Sequence, residues 1–158
     1  MFAHHTDSSM QYYEDIEIGD TQECGEYTVT KEEILEFAEQ YDPQPFHTDE
    51  EAAAESAFGE LVASGWHTAS ICMRLLVDGS IRDQASMGAR GVDELRWKRP
   101  VRPGDTLSVR TEVVDKRVSE SDPKRGYVDS RLEGINQNDE VVISWIGLGM
   151  VERRNPDA

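Results

Sequence analysis

Between Gly65 and Asp78 the chain is apolar nearly all the way round a helical wheel. Trp66, Ala69, Ile71, Cys72, Met73, Leu75, Leu76 and Val77 leave no wide polar face. Such a segment is predicted to be a helix buried over most of its circumference, so something must wrap it. The residues that follow supply the wrapping. Leu107, Val109, Thr111 and Val113 alternate with Ser108, Arg110 and Glu112; Val128, Ser130 and Leu132 alternate with Asp129, Arg131 and Glu133. A period of two belongs to strands with one buried face. Asn136 to Asp139 reads as a turn into the apolar run 141–151.

Upstream the pattern is more mixed. Residues 1–11 are polar and without period, a frayed tail ahead of one domain over 12–153. Tyr12 to Val29 holds two short apolar patches, enough for one strand. Thr30-Lys31-Glu32-Glu33 has the form of a capping box, and Ile34, Leu35, Phe37, Ala38 and Tyr41 continue as a helical stripe. Asp42-Pro43 ends that helix, since a residue before proline is pushed out of the helical region. Asp42 to His47 reads as a loop punctuated by two prolines, and Thr48-Asp49-Glu50-Glu51 as the capping box of a second short helix. Strand, short helices, one buried helix and then antiparallel strands make an α+β chain of the hot-dog kind, an antiparallel β-sheet wrapped around a central buried α-helix. A Greek-key sandwich would leave the long helix unexplained.

Charge narrows the partners. Thirty-two acidic against sixteen basic residues give a net charge of −16. Nucleic acid and anionic membrane surfaces are repelled by such a chain. Lysine is scarce: only Lys31, Lys98, Lys116 and Lys124 stand among the basic residues, the others being arginine. An acidic, lysine-poor surface suits a halophilic cytoplasm, where salt screens its self-repulsion; the plainer reading is an ordinary acidic protein. Cys24 and Cys72 make no disulfide framework and no metal-ligand pattern, and Cys72 reads as a small core residue. No apolar run is long enough to cross a bilayer and no secretion signal is visible, so a cytoplasmic protein is expected.

Asp42-Pro43-Gln44-Pro45-Phe46-His47 is the stretch that carries chemistry. A carboxylate and an imidazole can move a proton and activate a water, provided the prolines curl the segment so that the two converge. Otherwise Asp42 is a turn residue and His47 a surface residue. The segment resembles the D-x-N-P-x-H signature of MaoC-like dehydratases and R-specific enoyl-CoA hydratases: Asp42, Pro45 and His47 match, while Gln44 stands at the asparagine position. Tyr12 to Asp20 looks like that family's opening strand, Leu61 to Gly65 like the entry to its central helix, and Pro100 to Leu107 like its P-V-x-x-G-D-x-L turn. The resemblance runs from about Tyr12 to Val151.

It implies a hydratase or dehydratase acting across the 2,3-double bond of an enoyl-CoA thioester, with an R-3-hydroxyacyl-CoA product. Asp42 and His47 fall on the catalytic pair, and Gly65 on the glycine whose amide meets the thioester carbonyl. Gln44 and Ser64 are the candidates to support the pair from behind, Ser64 being expected first as the helix N-cap. His67, in the first turn of the same helix, is expected to be a hydrogen-bonded structural histidine. Arg96, Lys98, Arg99 and Arg102 form a basic patch suited to the phosphates of coenzyme A, or else offset nearby acids. No cofactor beyond the substrate's coenzyme A and no metal is expected. An unpaired sheet edge, with the resemblance, implies a homodimer or a dimer of dimers. A hot-dog thioesterase would carry a carboxylate inside the central helix, and a non-catalytic acyl-binding module would have no need of both Asp42 and His47.

Overall fold

The computed structural model describes residues 10–157, and the frayed-tail expectation for residues 1–9 lies outside them. Gln11 is already anchored, its N–H donating to the Asp83 carbonyl at 2.8 Å and its carbonyl accepting from Ala85 at 2.9 Å. The elements follow as β1 (Thr21–Thr28), α1 (Lys31–Tyr41), α2 (Pro45–Thr48), α3 (Glu50–Glu55), α4 (Gly65–Gly79), β2 (Ser86–Trp97), β3 (Thr106–Val118), β4 (Arg125–Ile135) and β5 (Val141–Glu152). The strands form one antiparallel sheet in the order β1-β3-β4-β5-β2. This is the α+β, hot-dog arrangement: one sheet curled over one long helix.

The core lies between α4 and the concave face of the sheet. Ile71, Cys72 and Leu75 pack against Leu107, Val109, Leu132, Val142, Ile143 and Trp145. Gly134 on β4 marks a close approach of sheet to helix, because a Cβ there would stand 2.6 Å from Ile143 and 2.7 Å from Cys72 Sγ. Burial pushes the Cys72 thiol up to about 12, in keeping with its role as a small core group. Among the described residues no helix is long and apolar enough to cross a membrane.

Several expectations need correcting. Helix α4 is not buried on most of its circumference: Trp66 is 56% and Met73 45% exposed. They lie seven residues apart, two helical turns, and so share one exposed side of the helix, where Trp66 meets Trp97 of β2 with ring centroids 5.0 Å apart. Tyr12 to Asp20 is not a strand; Tyr13–Asp15 is a 3-10 turn, its carbonyl end held by Lys116 Nζ donating to the Tyr13 and Ile16 carbonyls. The strand begins only at Thr21. The second short helix does not start at Thr48, since Asp49 caps α3 by accepting from the Glu51 and Ala52 N–H groups. Strand β2 had no alternating pattern to announce it, because all of its residues but Leu95 are exposed.

Candidate active site

Helix α1 starts where its cap residue dictates, with Thr30 Oγ1 accepting from the Glu33 N–H. It ends at Asp42, whose N–H closes the last turn on the Ala38 carbonyl at 2.9 Å before Pro43 forces the chain out. The segment to His47 is not all loop. Pro45 takes the first position of α2, where its missing N–H and fixed φ suit a helix start. That single turn swings His47 back, so Nε2 of His47 stands 3.5 Å from Oδ2 of Asp42.

Each member of the pair is fixed by its neighbours. His47 is 6% exposed, and its Nδ1 lies 2.6 Å from the Val62 carbonyl. A carbonyl oxygen only accepts, so Nδ1 carries a proton and donates, which leaves Nε2 to face Asp42. On the other side, Ser64 Oγ donates to Asp42 Oδ2 and Gln44 Nε2 to Asp42 Oδ1, both at 2.7 Å. Burial pushes the Asp42 carboxyl up, but the hydrogen bonds from Ser64 and Gln44 and the charge of His47 outweigh it. The group is held below the usual carboxylate range.

Ser64, fully buried, also N-caps α4 by accepting from the Trp66 N–H at 3.3 Å. Gly65 follows as the first residue of α4, and its own N–H makes no hydrogen bond among the described residues. A helix N-terminus with a free amide attracts an oxygen that gains negative charge. The glycine has a packing role too: a Cβ there would lie 2.4 Å from the Trp97 ring. Asp42 Oδ2 and His47 Nε2 can together accept both hydrogens of one water, while a carbonyl oxygen nearby could take the Gly65 amide.

Asp42, Gln44, His47, Ser64 and Gly65 are therefore brought together. The four cations are not one free patch. Arg99 pairs with Glu140 at 2.9 Å and Arg102 with Glu60, as offsetting of nearby acids would have it, whereas Arg96 and Lys98 have no acidic partner among the described residues. Two contributors gave no sequence signal, and a third residue departs from the reading it was given. The Val62 carbonyl is backbone, Trp97 lies on the unread strand, and His67 departs from expectation. His67 is 6% exposed and stacks on Phe37 with ring centroids 4.7 Å apart, but its buried Nδ1 has no hydrogen-bond partner. Burial pushes its pKa down, against the opposing charge of Glu33.

Residues 15–133 match the family described as MaoC like domain. Among solved structures, the MaoC-like dehydratase from Rhodospirillum rubrum is 43% identical with a TM-score of 0.84, covering 91% of this chain and 98% of that one. Protein MaoC of Klebsiella aerogenes is 38% identical over 109 residues, which are 68% of this chain and 32% of that protein. The 3-hydroxybutyryl-CoA dehydratase of Methylorubrum extorquens is 31% identical over 105 residues, 66% of this chain and 64% of the relative.

Proposed function

The chain belongs to the MaoC-like domain family, and from that premise we propose that it is a hydro-lyase adding or removing water across the 2,3-double bond of an enoyl-CoA thioester, with an R-3-hydroxyacyl-CoA product. The observation that carries the reading is the 3.5 Å approach of His47 Nε2 to Asp42 Oδ2, each group fixed from behind by its own hydrogen bonds. Two acceptors facing each other at that distance hold one water by both its hydrogens. The water oxygen is then free to attack C3.

In the hydration direction an O–H bond of the water breaks and a C3–O bond forms. The π electrons move onto the thioester oxygen, where the Gly65 N–H stabilises the enolate. Collapse of the enolate takes a proton onto C2. Asp42 is held as a carboxylate and His47 directs Nδ1 at the Val62 carbonyl, so Asp42 Oδ2 and His47 Nε2 are the atoms left to handle the water's proton. The proton reaching C2 is the one the water lost, passed on by the pair, which puts both additions on one face of the substrate. No cofactor is needed beyond the coenzyme A of the substrate. Arg96 and Lys98 are the cations left to meet its phosphates, with Arg99 and Arg102 beside them.

The thioesterase alternative finds no support inside α4, where the one carboxylate, Asp78, lies in the last turn and is bound to Arg74 at 2.7 Å and to Arg82 at 3.1 Å. Assaying crotonyl-CoA and longer enoyl-CoAs for loss of enoyl absorbance beside release of free thiol separates the two. Absorbance loss without thiol is expected; thiol release at the same rate would overturn the hydro-lyase reading.

A further inference from the structure

We propose that His67 and Phe37 are positioning residues for Asp42: their ring stack sets the end of α1, which carries the carboxylate, against the turn of α4 that carries Ser64 and Gly65. The proposal rests on the hydro-lyase reading of the same site. Asp42 is the C-cap of α1, tied to the helix by one N–H donated to the Ala38 carbonyl at 2.9 Å, and its backbone has already left the helical region. A helix end held by so little frays readily. The carboxylate is therefore placed only as well as the last turn of α1 is placed. That placement matters because one oxygen serves two elements. Asp42 Oδ2 accepts from Ser64 Oγ at 2.7 Å and faces His47 Nε2 of α2 at 3.5 Å. Gly65, whose amide receives the enolate oxygen, follows Ser64 directly. A shift of α1 against α4 would alter the hydrogen bond, the seat of the water and the distance from carboxylate to oxyanion together.

His67 stands where it can prevent that shift. It lies three residues after Ser64, so the two share a face of α4, and its backbone N–H donates to the Ser64 carbonyl at 3.0 Å. Across the seam its buried ring lies flat on Phe37, with centroids 4.7 Å apart and planes 7° from parallel. Phe37 packs in turn on Tyr41, four residues further along α1, at a centroid distance of 5.1 Å, and Tyr41 immediately precedes Asp42. The first turn of α4 thus meets the last turn of α1 at two points, the Ser64–Asp42 hydrogen bond and the ring stack. One point fixes a distance; two fix the angle as well. The rings are assigned no proton and no contact with substrate. What they set is geometry.

Hydration of crotonyl-CoA, together with the titration of an isotope-labelled Asp42 carboxyl followed by NMR, tests the assignment. A misplacement of about 1 Å can cost about a hundredfold in rate, and a partial loosening costs less. His67→Ala should therefore lower kcat about tenfold with KM little changed. The Asp42 titration should move to higher pH, because the Ser64 hydrogen bond that holds it low is loosened. Phe37→Leu, which removes the ring on the other side of the seam, should do the same. His67→Phe, which keeps a ring to stack but no nitrogen, should restore most of both. An unchanged kcat, a loss confined to KM, an Asp42 titration that stays in place, or a His67→Phe variant no better than His67→Ala would each overturn the assignment. The titration needs no turnover, so a protein that fails to hydrate yet shifts its Asp42 titration in His67→Ala refutes the hydro-lyase reading and leaves the positioning role standing.

Discussion

Asp42 owes its charge to its neighbours and not to its setting, since burial alone would favour the protonated acid. Ser64, Gln44 and His47 reverse that. A carboxyl whose folded pKa lies below its unfolded one contributes stability above the unfolded value, and that contribution is lost as pH falls through the folded value. Ser64→Ala removes one of the groups that lower it, so the acid limb of the kcat/KM profile should move to higher pH. An unmoved limb would mean that Ser64 serves only as a helix cap. The residue types Asp42 and His47 were legible in the sequence, and so was Ser64 as an N-cap. Of what fixes them, Gln44 was expected from the sequence; the rest was not. The Val62 carbonyl orients His47 through backbone, which has no sequence signature, and the pairing of Ser64 with Asp42 spans 22 positions.

The N-terminal turn of α4 combines packing and chemistry in one residue. Gly65→Ala leaves the N–H in place but sets a methyl group 2.4 Å from the Trp97 ring, so ring or helix must shift. Overpacking of this sort costs about 1–3 kcal/mol, and with Trp97 47% exposed the ring can swing, which favours the lower end. Thermal melts should fall by about 2–4 °C, and the penalty should largely vanish in a Trp97→Ala background, since contacting residues are not additive. The same loss in both backgrounds would place the strain elsewhere. Elements with one wet face and one dry face were readable: α1, β3 and β4 announced their period, whereas α4 and β5 were read from continuous apolar runs, and for α4 that run hid its exposed side. Strand β2 has water on both sides in the single chain and so carries no alternation. The α2 turn escaped because two prolines in four residues look like a loop until Pro45 is seen at a helix start.

At the scale of the molecule, β2 is an edge strand of 12 residues with Met87, Val92 and Trp97 exposed, and Trp66 and Met73 of α4 are exposed as well. A long apolar edge left open invites pairing with another chain. A homodimer or a dimer of dimers is the expected assembly, and the net charge of −16 makes its stability depend on screening. Sedimentation in molar potassium chloride should show the dimer or a multiple of it, and melting temperature should rise with salt. A stable, active monomer would count against the first and a flat or falling melt against the second. Beyond assembly, the central claim is that this molecule moves water through Asp42 and His47 acting together. Steady-state hydration of an enoyl-CoA by Asp42→Asn, His47→Gln and the double variant tests it most directly. Each variant should lose about a hundredfold or more in kcat with little change in KM, and the double variant should lose little more. Near-native turnover by either folded single variant would contradict it.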